Sequence, residues 1–500
     1  MSILDCAGKT LARPAVMDAL RVYDKAVASR GDAKMLRRVF EKAERGGEIR
    51  IAVMGGSITE GKGYSTAVMK YLKAKYPQCA FNEINAGISS TCSDTGAFRV
   101  QEDILSKRKV DLFFVEFAVN DDQDGHFSEE HARRGMEGIV RQVREANPAC
   151  DIVMIHFVNP GELKTIQDGG TPIPYAAHES VAEQYGVPTV NIGAELARLI
   201  AAGTWTWEKY GVDGNGHPTT EGGQMAADKI CELLTAEWTG GVRANTVDHT
   251  LPAMLDPMSY SKGGHIPLEN AVLGTGWNLS LPNWASIEGN KRDRYTADPI
   301  LWSETPGSEF TLTFTGTAVG AFVTSYCWDV GALDVSVDDG AFVTRRLIST
   351  WSYSLHYPMT VMLVDDLDYG EHTLTVKLVE DHKDAYGVEQ ANRSGGRVAR
   401  IHALCVNGVV PEPPAPASNV KFVALADNLK TAVESAAAGD ELRLEKGTFT
   451  VASTISSSKA LTISGGWTDI TTQDPEAVTT LNGGTIPGEA RRRYRDSGRL

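Results

Sequence analysis

The sequence predicts a three-layer α/β domain on a parallel sheet over residues 1–245, an all-β region over 246–410 and a short β-rich tail over 419–500. Three observations carry this reading. Short apolar runs alternate with helical periodicity from Ile49 to Trp238. Runs of alternating apolar and polar residues occupy Ser308 to Gly408. A proline-rich joint, residues 411–418, then precedes short glycine-bounded runs. Five hundred residues also exceed what one hydrophobic core normally supports.

Residues 14–46 carry helical stripes (Val16, Leu20, Val22 and Ala26, then Leu36, Val39 and Phe40), broken at Arg30-Gly31-Asp32, with Asp32 suited to cap the second helix. Strands are expected at 49–54, 81–86, 111–117, 151–158 and 187–191, and helices at 64–76, 97–107, 129–146, 175–185, 192–202 and 221–238. Continuously apolar strands such as Val110 to Val115 suit a parallel sheet covered on both faces. Beyond Arg243 the period-two runs Phe310–Phe314, Leu333–Val337, Thr373–Leu378 and Ala399–Leu404, with Asp339-Gly340 as a hairpin signal, indicate an antiparallel sandwich of jelly-roll type. Trp277, Trp284, Trp302, Trp328 and Trp351 fall in or just before it, as core or interdomain packing. In the tail, a helix near Leu429–Ala438 and strands in 440–449 and 460–466 resemble the opening coils of a pectate-lyase-like β-helix, truncated before the three or so coils that such a core needs. The basic end, Arg491 to Arg495, has no pattern.

Composition excludes several classes. A net charge of −15 with no long basic run before the last residues disfavours nucleic acid and anionic membranes as partners. No stretch of about 18 apolar residues is present to span a bilayer. The seven cysteines, at 6, 79, 92, 150, 231, 327 and 405, form no CxxC pair and read as reduced, mostly buried thiols. The first residues lack a basic stretch followed by an apolar one, which is expected of a cytoplasmic product; a secreted chain whose leader was removed would read the same. Oligomeric state is left open.

The chemistry concentrates at loops that follow the strands. In Gly55-Gly56-Ser57, a serine flanked by small residues leaves the first strand, where an α/β sheet exposes a nucleophile. Asn85-Ala86-Gly87 follows the second strand, and Glu116-Phe117-Ala118-Val119-Asn120-Asp121 follows the third. Gly211 to Pro218, a glycine-rich loop before the last helix, carries Asp213 and His217. Acyl transfer needs a nucleophile, a base and donors for the developing oxyanion. Ser57, His217 and Asp213 fit the first roles; the Ser57 and Gly87 N–H groups and the Asn120 amide fit the last. Removing one such donor typically costs about 3–4 kcal/mol in the barrier. No metal or organic cofactor is needed.

These four blocks resemble, in order and spacing, those of the SGNH (GDSL-type) hydrolases over roughly residues 48–240. The resemblance implies a flavodoxin-like three-layer fold, with nucleophile Ser57, oxyanion donors Gly87 and Asn120, and base His217. It further implies an esterase, many family members being deacetylases of plant polysaccharides. The expected substrate is therefore a carbohydrate bearing short acyl esters, above all acetyl, such as acetylated xylan. The chain departs from the pattern at Gly56, where the family has aspartate, and at Ala118, where it has glycine. The family's acid stands three residues before the histidine; here that is Gly214, with Asp213 one residue further away. Either the loop restores an Asp213 contact or a backbone carbonyl orients the imidazole.

Other polar residues read as structural. His156 lies inside an apolar strand and Glu116 in an apolar run, as buried bonded groups; Cys92 reads as packing; Asp121, Asp122, Asp124 and His126 read as a solvated acidic loop rather than a metal cluster. Trp205, Trp207 and Tyr210, just before the histidine loop, would form either a sugar-stacking wall or core. Rival classes are a non-catalytic glycan-binding protein and a lysophospholipase or thioesterase of the same fold.

Overall fold

The computed structural model describes residues 36–238, 248–390, 395–410, 420–436, 440–450, 462–469 and 479–482. The expected helical stripe before Leu36 with its Asp32 cap, Cys6, the proline-rich joint and the basic end lie outside the described residues. Residues 1–105 and 109–410 make one compact unit, and 106–108 with 411–500 a second. The α/β and antiparallel regions thus belong to the same unit.

Five parallel strands, β1 (Gly47–Gly55), β2 (Cys79–Gly87), β3 (Leu112–Val115), β4 (Asp151–His156) and β5 (Thr189–Asn191), are ordered β2-β1-β3-β4-β5. Side chains alternate between faces, and each face has its own core. Ile49, Ile51 and Val53 pack with Val68, Leu72, Ile230 and Leu234 from helices Gly63–Lys75 and Thr220–Glu237. Ala52 and Met54 pack with Phe98, Met136, Ile139 and Val140 from helices Ser93–Val100 and Glu129–Ala146. This is a three-layer arrangement, and its strand order reverses between β1 and β3, the place where such sheets open a crevice. Register sets Gly55 beside Gly87 and Met54 beside Val115, so the three loops that carry the predicted motifs leave the same edge together.

Helices follow the expected pattern closely, with differences at their ends. The one expected over 97–107 runs from Ser93 to Val100 and relaxes into a wider turn over Gln101–Leu105. Four short helices escaped the periodicity: Ser57–Glu60, Ala118–Gln123, Pro160–Gln167 and Trp207–Tyr210. Three of them are too short to show an apolar stripe.

The antiparallel region comprises β6 (Gly263–Ile266), β7 (Val272–Leu273), β8 (Trp277–Ser280), β9 (Ile300–Ser303), β10 (Glu309–Ser325), β11 (Ala332–Val337), β12 (Val343–Arg346), β13 (Tyr357–Val364), β14 (Gly370–Val379) and β15 (Ala399–Gly408). The four period-two runs fall in β10, β11, β14 and β15. β10 bonds β14 with its first half and β13 with its second, shifting register at Val319/Gly320. The hairpin expected at Asp339-Gly340 joins β11 to β12, but Asp338 and Asp339 take the left-handed positions, with φ of 50° and 59°. Aspartate tolerates that conformation because its short side chain bonds locally.

The two regions of this unit share a core. Tyr260, Tyr295, Phe322 and Cys405 pack with Ala97, Phe98 and Ile139. Buried Arg134 ties the long helix to Asp256 at 2.7 Å and Asp366 at 2.7 Å. Of the tryptophans there, Trp277 and Trp284 are buried; Trp328 is 42% exposed, against the expectation of packing, whereas Trp351, 37% exposed, still meets the α/β region through its indole bond to Gln123.

In the second unit, β16 (Val420–Val423), β17 (Glu441–Glu445) and β19 (Thr462–Trp467) pair in parallel, as do β18 (Gly447–Thr450) and β20 (Thr479–Asn482). Val423, Leu429, Val433, Leu442, Leu444 and Phe449 form its core. No described helix is long and apolar enough to cross a membrane.

Candidate active site

β1 ends at Gly55, and Ser57 opens the single helical turn Ser57–Glu60. The turn is fastened from below by Glu116, which follows β3 and is 1% exposed. One of its oxygens accepts the Gly56 N–H at 3.1 Å and the Thr59 hydroxyl at 2.7 Å. Burial pushes the Glu116 carboxyl up to about 8 despite these bonds, so it is neutral at pH 7. Glu116 is thus the buried, bonded acid its setting in the sequence suggested. A Cβ on Gly56 would lie 2.0 Å from the Asn120 side-chain oxygen, so glycine in place of aspartate leaves the Asn120 amide its position.

His217 reaches the serine from the opposite side. Ser57 Oγ lies 2.7 Å from His217 Nε2, and His217 Nδ1 lies 2.6 Å from Asp213 Oδ2. The loop is closed by a bridge between Gly211 and Pro218, and the Val212 N–H donates to the His217 carbonyl at 2.9 Å. Inside it, Asp213 Oδ1 accepts the Asn215 N–H at 2.9 Å. Burial raises the Asp213 carboxyl, but bonds from His217 and Asn215 outweigh it and hold the group below its ordinary value. The extra residue relative to the family spacing is absorbed by this tight turn. Thr219 caps the last helix immediately afterwards, accepting the Gly222 N–H at 3.0 Å, which anchors the histidine loop to a rigid element.

The expected oxyanion donors are arranged differently from one another. A Cβ on Gly87 would lie 2.2 Å from the Glu60 backbone nitrogen, so only glycine fits against the serine turn. Its N–H, expected to face substrate, instead donates to Asn85 Oδ1 at 2.9 Å, while Asn85 Nδ2 donates to the Thr59 carbonyl at 2.8 Å. This corrects the picture of three free donors: the Asn85 amide engages one of them. Asn120, 3% exposed, stands in the turn Ala118–Gln123 with its amide beside Gly56 and its Nδ2 donating to Asp124.

The acidic loop is only partly solvated, with His126 exposed and Asp122 and Asp124 half-buried. Asp121 is fully buried, accepting the Ser93 N–H at 2.8 Å and facing His178 Nε2 at 2.9 Å; Asp122 accepts from Asn159 at 2.8 Å. Its carboxylates are committed to separate partners, and among the described residues no group of His, Cys, Asp or Glu converges as metal ligands. Cys92 is buried and donates to the Asn120 carbonyl at 3.3 Å; His156 is buried against Glu179 at 3.0 Å.

Of the three aromatics considered for sugar stacking, Tyr210 is fully buried, which removes it from that role. Trp207 is partly buried against it and donates its indole N–H to the Asp213 carbonyl at 3.1 Å, supporting the acid's loop. Trp205 remains partly exposed under the Lys209 ammonium, 4.4 Å from its ring centre. Missed residues come from far along the chain. Arg292 donates to the Ser89 carbonyl at 2.9 Å and Arg294 pairs with Glu60, while the Trp351 indole donates to the Gln123 carbonyl at 3.3 Å. No local pattern marks these residues as neighbours of the serine edge.

Residues 53–225 match the GDSL-like Lipase/Acylhydrolase family. No curated protein matches the chain. Among solved structures, a two-domain esterase active on acetylated mannans is similar at 22% identity and a TM-score of 0.60, covering 75% of this chain and 96% of its own. The same kind of esterase co-crystallised with mannopentaose aligns at 22% identity and a TM-score of 0.58, covering 76% and 96%. An acetylxylan esterase from Geobacillus stearothermophilus aligns at 21% identity and a TM-score of 0.30, covering 40% and 99%. Likeness at these identities speaks to fold alone. The similarity to the GDSL-like Lipase/Acylhydrolase family spans residues 53–225, the stretch that holds Ser57, Asn120 and His217.

Proposed function

We propose that this protein is a serine esterase that removes acetyl groups from carbohydrate, such as acetylated xylan or another plant polysaccharide. The observation that carries the reading is the continuous chain from Ser57 Oγ through His217 to Asp213, at 2.7 and 2.6 Å. In this reading His217 takes the Ser57 proton as the hydroxyl attacks the ester carbonyl. Asp213 holds the imidazole in the tautomer that accepts at Nε2 and stabilises the imidazolium that forms. The Ser57 N–H and the Asn120 amide receive the oxyanion, and the Gly87 N–H joins them if it leaves Asn85 Oδ1. His217 then protonates the departing sugar hydroxyl, and water releases acetate by the reverse sequence.

The substrate class is supported by the two-domain esterase active on acetylated mannans, whose alignment extends over three-quarters of this chain, beyond the acylhydrolase domain. We read the antiparallel region as a jelly-roll accessory domain, and the parallel ladders of the second unit as the start of a β-helix. The test is acetate release from acetylated xylan and acetylated mannan, beside p-nitrophenyl acetate and octanoate. Acetate release that Ser57→Ala abolishes is expected. Turnover equal to that of Ser57→Ala means a non-catalytic glycan-binding protein, and preference for octanoate means a lipid or thioester hydrolase.

A further inference from the structure

The carboxamide of an asparagine has two nearly isosteric ends, one donating and one accepting. As an oxyanion donor it works only if its N–H end faces the reacting carbon; turned over, it would set an oxygen against a developing negative charge. Something must therefore choose the orientation. At Asn120 the oxygen end lies toward Gly56 and the Nδ2 end donates to Asp124. The Asp124 oxygen is the acceptor in that bond, so it selects the N–H end and leaves the second Nδ2 proton for the substrate side. Asp124 itself sits one turn on, its own N–H donating to the Asn120 carbonyl at 2.9 Å.

Beyond its bonds to Asn120, Asp124 is faced from the antiparallel region. Tyr357, the first residue of β13 and 4% exposed, directs its phenol at Asp124 and Ser90, and its hydroxyl is buried without a closed hydrogen bond in this state. Around this point the same region bonds the Asn120 turn and the segment 90–95 that follows β2. The Trp351 indole donates to the Gln123 carbonyl at 3.3 Å, Arg292 to Ser90 Oγ at 3.1 Å, and the Thr360 hydroxyl pairs with that of Thr95 at 2.8 Å.

We propose that Asp124 and Tyr357 are positioning residues for the oxyanion donor, Asp124 fixing which end of the Asn120 amide faces the substrate and Tyr357 backing Asp124 from the antiparallel region. The inference rests on the esterase reading. Neither side chain is assigned contact with substrate; both act through Asn120, so their loss falls on kcat rather than on binding.

The test uses the full chain and p-nitrophenyl acetate, with melting curves to show that each variant folds. Asn120→Ala sets the scale, about 10²–10³-fold in kcat. Asp124→Ala is expected to lower kcat about 10- to 100-fold with KM within about twofold, and Asp124→Asn, whose amide can present either end to Asn120, to recover only part of that loss. Tyr357→Phe removes a single oxygen from a strand and is expected to lower kcat several-fold at unchanged KM, which keeps the test open should Asp124→Ala misfold. An active wild type with a strong Asn120→Ala loss but unchanged Asp124→Ala or Tyr357→Phe kcat overturns the inference alone. A wild type no faster than Ser57→Ala overturns the esterase reading, and the inference with it.

Discussion

The two sides of the Ser57 cleft are built in different ways. His217 and Asp213 lie four residues apart in one loop, closed on itself by the Gly211–Pro218 bridge and seated on the last helix of the α/β region. Asn120 bonds mainly within its own turn, its Nδ2 donating to Asp124, but that turn is met by a side chain from far along the chain: the Trp351 indole that bonds it is 228 positions from Gln123. A proton-transfer pair can be specified by a short loop, because one bond orients the ring. The electrostatic side must also be enclosed, and enclosure comes from another region. Substitutions on the two sides should therefore differ in kind as well as in size.

The largest expected effect belongs to the residue both sides serve. Ser57→Ala should lower kcat on p-nitrophenyl acetate by about 10⁵–10⁶-fold with no change in melting temperature, since the side chain ends in the cleft and supports no core. Retained turnover would remove Ser57 from the chemistry. Next comes Asp213→Asn, which keeps shape but forfeits the charge and the tautomer preference. Where such an acid is buried the loss reaches about 10⁴-fold. Asp213 is 37% exposed, so water can replace part of its bond, and a loss of about 10²–10³-fold in kcat is expected. A loss under about threefold would mean that the loop backbone alone orients His217.

The same contrast explains what could be read from sequence. Apolar runs located all five strands of the parallel sheet, most sharply the central β3 and β4, which are buried on both faces, while edge strand β2 keeps exposed residues. Ser57, Asn120 and His217 stood out because each follows a strand or precedes a helix within a recognisable block. Pro160–Gln167 was missed although its signal was available: Asn159 and Glu162 make a full capping box around Pro160. Tyr357, Trp351 and Arg292 had no such signal. Their role depends on β13 and its neighbouring loops folding back over residues 89–124, and tertiary proximity of that span leaves no periodic trace. Asn85 was hidden for another reason. It was quoted in its block, yet that its amide would take up the Gly87 N–H is a matter of side-chain orientation.

Arg134 offers a way to loosen the enclosing side without touching the loop of His217. It is 8% exposed and bonds Asp256, Asp365 and Asp366 of the segments that lead into and through the antiparallel region. Arg134→Ala leaves Asp256, itself mostly buried, without its partner, a change of the type that costs about 3–5 kcal/mol. A fall of roughly 5 °C in melting temperature is expected, with a loss in kcat below about tenfold, smaller than that of Asp213→Asn. An equal or larger loss in kcat would show that the enclosing region governs the whole cleft rather than one side of it.

The smallest effect concerns Glu116, which fastens the serine turn between the two sides. Its second oxygen has no bonding partner, and burial lifts its carboxyl from 4.5 to about 8. The folded chain therefore holds a proton across that window which the unfolded chain releases. The contribution to stability is complete below 4.5, declines as pH rises and is lost by about 8. Glu116→Gln keeps the oxygen that accepts from Gly56 and Thr59 and places an N–H₂ where the neutral acid carries its hydroxyl, so kcat near pH 7 should change little. Its melting temperature should gain on the wild type by a few degrees between about pH 5 and about pH 8. A difference that stays constant with pH would mean the carboxyl is ionised in the fold. The serine turn would then rest on a charge beside the proposed oxyanion site, opposing the charge that Asn120 is placed to receive.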